Sequence, residues 1–195
     1  MNQNPRVRIV DVETLSDDWY VLKKTTFDYQ RRDGTWQTQS RETYDRGNGA
    51  TILLFNRDQR TVVLTRQFRL PAFVNGHDGM MIEAAGGLLD NALPEERIRA
   101  EAEEETGYRV QNVQKIFEAY MSPGSVTEKL HFFIAEYDAS ARVGHGGGLE
   151  AEGEDLEMIE LTFDDALHAV RRGEIVDARA GPRHARDLGR HRGDA

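Results

Sequence analysis

At 195 residues the chain is long enough for one domain with a sizeable core, or one domain plus a short extra sheet, and no internal repeat suggests a solenoid. Its lack of cysteine excludes disulfides, thiolate nucleophiles and zinc–cysteine sites and points to a reducing cytoplasm, while no segment approaches the ~18 apolar residues of a membrane span and MNQNPRVRIVDVE carries no apolar signal. With 25 basic against 34 acidic residues, net −9, the balance argues against a nucleic-acid backbone as the main partner.

Residues 7–13, 19–29 and 35–44 read as three β segments, with Arg31-Arg32-Asp33-Gly34 as the turn between the second and third. They predict an N-terminal antiparallel sheet. Residues 50–55 and 61–64 are apolar runs joined by Asn56-Arg57-Asp58-Gln59, a hairpin of buried strands. Arg66-Gln67-Phe68-Arg69 then leaves the sheet, and strand alternation turns its two arginines to opposite faces. One is free to grip a phosphate with its planar fork, and a salt-bridged surface arginine is the equal alternative.

Residues 80–85 form a short strand that feeds the segment GGLLDNALPEERIRAEAEEETGY, Gly86 to Tyr108. Asp90 and Asn91 supply turn chemistry, Pro94 suits the first helical position and Gly107 the stop. Inside that helix Glu101, Glu104 and Glu105 stand at i, i+3 and i+4, so about 3.6 residues per turn bring their carboxylates to one face, with Glu103 pointing elsewhere. Converging like charges destabilise a helix and want a counter-charge, for which magnesium, a hard ion taking oxygen ligands and sharing substrate phosphates, is the natural choice. The run alone also fits a solvated acidic face with Arg97 and Glu101 as an ordinary i, i+4 pair.

Residues 110–121 and 129–137 make another strand pair around the loop Ser122-Pro123-Gly124-Ser125, and His131 among Phe132, Phe133 and Ile134 reads as a sheet histidine rather than a ligand. Gly144 to Gly148 is flexible, and Leu149 to Asp155 is a second acidic cluster that, as a closing loop, can supply one more metal ligand and a general base. Residues 157–163 form a strand and 164–172 an amphipathic helix closed by Gly173. From Asp177 the composition turns to Arg, Gly and His, which predicts a polar tail without a packed helix. The whole reads as α+β, a mixed sheet between helices, with no Walker, EF-hand or dinucleotide-binding loop in the required context.

The order Glu101-Ala102-Glu103-Glu104-Glu105-Thr106-Gly107-Tyr108 behind a glycine loop resembles the second half of the Nudix box, G-x5-E-x7-R-E-U-x-E-E-x-G-U. The front half departs from it: the early glutamate falls on Ala92 (on Leu93 if Gly87 is the box glycine) and the arginine on Ala100, with Arg97 and Arg99 the nearest substitutes. Together with Asp45 to Ala50, Arg66 to Arg69, Val74-Asn75-Gly76 and YMSPGSVTEKLHFFIAEY at 120–137, the chain resembles the GDP-mannose pyrophosphatase branch of the Nudix hydrolases, near the ADP-ribose pyrophosphatases.

That resemblance implies a Nudix fold and the hydrolysis of a nucleoside diphosphate sugar, GDP-mannose to GMP and mannose 1-phosphate. ADP-ribose, another nucleotide sugar, or binding without turnover are the alternatives. It implies Mg2+, with Mn2+ as the substitute, held by the Gly86 carbonyl, Glu101, Glu105 and Glu154. Glu104 would be auxiliary and Glu152 the base. Substrate contacts would fall at Trp19, Arg41, Glu42, Arg69, Gly87 and Glu128. The branch forms homodimers, so residues 1–47 would serve dimerisation and substrate contacts, 48–177 the hydrolase domain, and 178–195 would be a polar, disordered tail. Relatives carry a substrate-contacting lysine near Arg179 and then an apolar helix that this chain lacks.

Overall fold

The computed structural model describes residues 4–180, excepting the Glu152 side chain, and the chain divides into two compact units. Among the described residues the first takes 4–48 together with Ala119–Leu130, and the second takes Gly49–Glu118 together with 131–180.

In the first unit β1 (Val7–Asp17), β2 (Val21–Gln30) and β3 (Trp36–Asp45) form an antiparallel meander, as the alternation predicts. The turn sits where Asp33 and Gly34 put it: the Arg31 N–H donates to the Thr35 carbonyl at 2.8 Å, and Asp33 accepts from the Thr35 N–H at 3.0 Å. Strand β1 leaves Ile9, Val10, Val12 and Leu15 exposed, an apolar edge of the kind that natural sheets cover or pair.

The second unit is built on β4 (Gly49–Asn56), β5 (Thr61–Phe68), β6 (Met80–Glu83), β7 (Ala85–Leu88) and β10 (Glu157–Thr162), joined in one sheet by β8 (Gln114–Tyr120) and β9 (Lys129–Glu136). Alternation along β4 sorts the core into two layers. Ala50, Ile52 and Leu54 face Ile98 and Ala102 of α2 (Pro94–Thr106), whereas Leu53 and Phe55 share the other layer with Ala169 of α3 (Phe163–Arg172). The sheet therefore lies between helices, the expected α+β arrangement.

Helix α2 starts on Pro94, carries Glu95 and Glu96 in the first turn where the dipole favours them, and stops on Gly107 at φ 76°. Its buried side chains are Ile98, Glu101, Ala102, Glu105 and Thr106. Carboxylates thus occupy positions that an ordinary amphipathic helix gives to leucine. Two elements differ from the expectation. A five-residue helix, α1 (Leu70–Val74), follows β5, and the strand read at residues 80–85 is two strands, because the chain leaves β5 after Glu83 and pairs with β4 from Ala85.

Candidate active site

The loop between β7 and α2 owes its shape to Asp90 and Asn91, both in the left-handed region at φ 44° and 73°, where these two residue types are the most tolerant after glycine. It delivers β7 against the buried face of α2. The Gly86 N–H donates to Glu105 Oε2 at 3.3 Å. A side chain at Gly87 would run into Glu101 Oε1 and come within 2.7 Å of its Cδ. Backbone and carboxylate are packed so closely here that a side chain at Gly87 would push the Glu101 carboxylate aside.

Glu101 and Glu105 are 3% and 1% exposed, in the C-terminal half of a helix whose last turn holds no basic residue, so the helix dipole adds to their repulsion. Burial, then the charges of Glu101 and Glu154, push the Glu105 carboxyl well above its usual range, while the Gly86 N–H and the Arg69 charge pull it back. A buried carboxylate crowded by two others is a site that a divalent cation would relieve. Oxygen-only donors beside a glycine backbone fit a hard ion of that kind. Among the described residues no three acidic or histidine side chains are gathered into a ready cage: Glu101 is drawn to Arg97, and Glu154 accepts from the Leu149 N–H at 2.9 Å.

Arg97 reaches Glu101 at 2.6 Å and Glu104 at 3.6 Å, and its Nε donates to the Leu88 carbonyl at 3.3 Å. One guanidinium therefore ties the glycine loop to two carboxylates of α2. Arg99 turns away to the Val110 and Gln111 carbonyls and to Glu95, so of the two nearby arginines it is Arg97 that stands at the site. The i, i+4 pair foreseen on a solvated face exists, but on a mostly buried one. Glu103 faces Arg109 at 2.8 Å, off the site as expected. If the carboxylates of α2 hold a divalent ion, substituting Arg97 by alanine should weaken its binding about 10- to 100-fold, the usual effect of losing a residue that orients ligands, and a metal titration checks it.

The glycine segment between Gly144 and Gly148 is not loose. Gly147 and Gly148 donate their N–H groups to the Glu105 and Glu104 carbonyls at 2.9 and 3.1 Å, and the Val143 N–H goes to the Gly107 carbonyl at 2.8 Å. These bonds satisfy the free carbonyls at the end of α2 and fasten the second acidic loop to the helix that carries the first. The expected flexibility gives way to capping. Glu154 is thereby held where its charge acts on Glu105, whereas the side chain of Glu152 lies outside the described residues.

Arg69 leaves β5 and pairs with Glu83, a residue that periodicity did not single out, at 2.8 Å. Arg66, on the other face, meets Glu157. The salt-bridged reading holds for Arg66 at the surface, and Arg69 is ion-paired as well, to a buried carboxylate. Glu83 also binds Arg179 at 2.6 Å, and Arg179 binds Asp177 at 2.9 Å. Arg179 therefore belongs to an ion-pair network in a short turn, Ala178–Ala180, rather than to a solvated tail; residues 181–195 lie outside the described residues. His131 is buried, with Glu118 at 3.3 Å, as a sheet histidine should be.

The remaining expected contact residues belong to the first unit. Trp19 is 81% exposed beside Tyr20, Arg41 and Glu42 are exposed on β3, and Glu128 lies 3.6 Å from Arg46, whose guanidinium covers the Tyr20 ring.

The NUDIX domain model matches residues 45–179, and the chain belongs to the Nudix family. A second model, described as the GDP-mannose pyrophosphatase NudK N-terminal domain, matches residues 6–44. The chain is 56% identical over 174 residues to the GDP-mannose pyrophosphatase of Pectobacterium atrosepticum, covering 89% of each protein. It is 54% identical over 180 residues to that of Salmonella arizonae, covering 92% of each. The crystal structure of an ADP compounds hydrolase superposes with a TM-score of 0.70 over 98% of this chain and 96% of that one, at 16% identity, a likeness of fold.

Proposed function

We propose that the chain is a magnesium-dependent nucleotide-sugar pyrophosphatase that cleaves GDP-mannose to GMP and mannose 1-phosphate. The observation that carries the reading is the buried Glu105, crowded by Glu101 and Glu154 and faced by Arg69. Relatives sharing more than half of its residues over nine-tenths of its length are GDP-mannose pyrophosphatases.

In this reading Glu101, Glu105, Glu154 and the Gly86 carbonyl hold Mg2+ or, in its place, Mn2+. When bound, the ion neutralises pyrophosphate charge, acidifies water and stabilises the leaving phosphate. Glu104 supports the cluster through Arg97. Glu152 or Glu154 takes the proton of the attacking water, a role open to a carboxylate one hydrogen bond away. Arg69, oriented by Glu83, binds a phosphate oxygen, and the tight backbone at Gly87 lets the substrate approach. Trp19 offers a ring for stacking, and Arg41, Glu42 and Glu128 complete the substrate contacts. The apolar edge of β1 supports a homodimer formed through the N-terminal sheet of residues 1–47, and the absence of cysteine supports a cytoplasmic site of action. No helix among the described residues is long and apolar enough to cross a membrane.

The substrate is tested by comparing kcat/KM for GDP-mannose and ADP-ribose in magnesium. The proposal expects GDP-mannose to be preferred. A clear preference for ADP-ribose would move the chain to the neighbouring activity, and binding of either without turnover would make it a sensor.

A further inference from the structure

Among the described residues of the second unit, Glu83 is the one carboxylate that is buried at 2% exposure and bound by two arginines from distant parts of the chain. It closes β6, next to Ala84 of the apolar layer shared with α3. Burying such a charge is costly unless donors surround it. Here Gln67 donates to Oε2 at 3.3 Å, Arg69 gives Nε to both oxygens at 3.2 and 3.1 Å and Nη2 to Oε2 at 2.8 Å, and Arg179 Nη2 lies 2.6 Å from the same Oε2. The two guanidinium groups are neighbours because they share one oxygen.

Each arginine spends the same edge on acids. Arg69 uses Nε and Nη2 on Glu83, and Arg179 uses Nε on Asp177 at 2.9 Å and Nη2 on Glu83. Among the described residues neither Nη1 has a hydrogen-bond acceptor. Two arginines are balanced by two carboxylates, so the network does not act by excess charge. What it fixes is direction: two rigid forks with one edge held and one edge open, beside the buried glutamates of α2, since the charge of Arg69 reaches Glu105.

We infer that Glu83 is a positioning residue for substrate: its buried carboxylate aligns Arg69 and Arg179 so that their open edges receive oxygens of one anionic group of the nucleotide sugar. This rests on the nucleotide-sugar reading above. The role also gives Arg179 a purpose in a stretch whose composition otherwise reads as tail. It binds the Ala178–Ala180 turn to β6, so substrate recognition and the seating of that turn depend on one side chain.

The test is steady-state kinetics of Glu83→Gln beside the wild type with GDP-mannose and magnesium, with the melting temperature of each. Wild-type turnover tests the nucleotide-sugar reading separately from the role of Glu83. Glutamine keeps the shape and loses the charge, so both forks become free to rotate. KM should rise about tenfold or more, as for other orienting partners, with kcat reduced far less. Glu83→Asp, which keeps the charge on a shorter arm, should fall between the two and serves in place of Glu83→Gln if that protein does not fold. A variant with a lower melting temperature but an unchanged KM, or with the loss confined to kcat, would make Glu83 a structural anchor only and overturn the inference.

Discussion

Exchanging Glu105 for glutamine should remove about a thousandfold or more of the turnover, since bound metal contributes several kcal/mol of transition-state charge stabilisation and each ~1.4 kcal/mol is a factor of ten. The same exchange should raise the melting temperature in chelator. In the metal-free protein Glu105 is buried and crowded by Glu101 and Glu154, so an uncharged amide of the same shape escapes both penalties and can still accept from the Gly86 N–H. A loss of function joined to a gain of stability distinguishes a binding group from a structural one. Thermal unfolding in chelator and turnover in magnesium check the two halves, and undiminished turnover would sink the assignment of Glu105.

Gly86→Ala should be severe for the opposite reason. A Cβ at Gly86 would meet the Ala50 carbonyl and stand 2.8 Å from the Thr51 Cα, both backbone atoms of β4, a strand buried along its whole length. Nothing there can rotate away, so β7 must lift from β4 at the Thr51–Gly86 pair. The expected cost is about 1–3 kcal/mol of stability, as for other overpacked sites, with activity lost besides because the backbone that faces Glu105 moves. Gly124→Ala is the control, its Cβ meeting nothing within 4 Å and its φ outside the left-handed region. Equal melting temperatures for the two variants would contradict the packing argument.

Local chemistry made much of this molecule legible in one dimension. Pro94 and Gly107 bound α2, Asp33 and Gly34 set the β2–β3 turn, and the i, i+3, i+4 spacing announced carboxylates on one face. What escaped depends on pairings across the chain. Glu83 looks like any strand glutamate until Arg69 and Arg179 arrive from sequence positions 14 and 96 residues away. Arg97 meets Glu101 because four residues along a helix is also a neighbour, and Leu88 comes within its reach through the turn at Asp90 and Asn91. Glycines between 144 and 148 suggested freedom, yet their N–H groups are what the carbonyls at the end of α2 required. The break between β6 and β7 was hidden because a single residue, Ala84, separates them, and a change of partner leaves no mark on hydrophobic pattern.

The most direct measurement is chromatographic separation of the products formed from GDP-mannose with magnesium, with chelator, and with chelator followed by excess magnesium. GMP and mannose 1-phosphate in equal amounts in the first and third, and neither in the second, is the predicted result. Equal cleavage in chelator, or none in magnesium by folded protein that binds the nucleotide sugar, would contradict it.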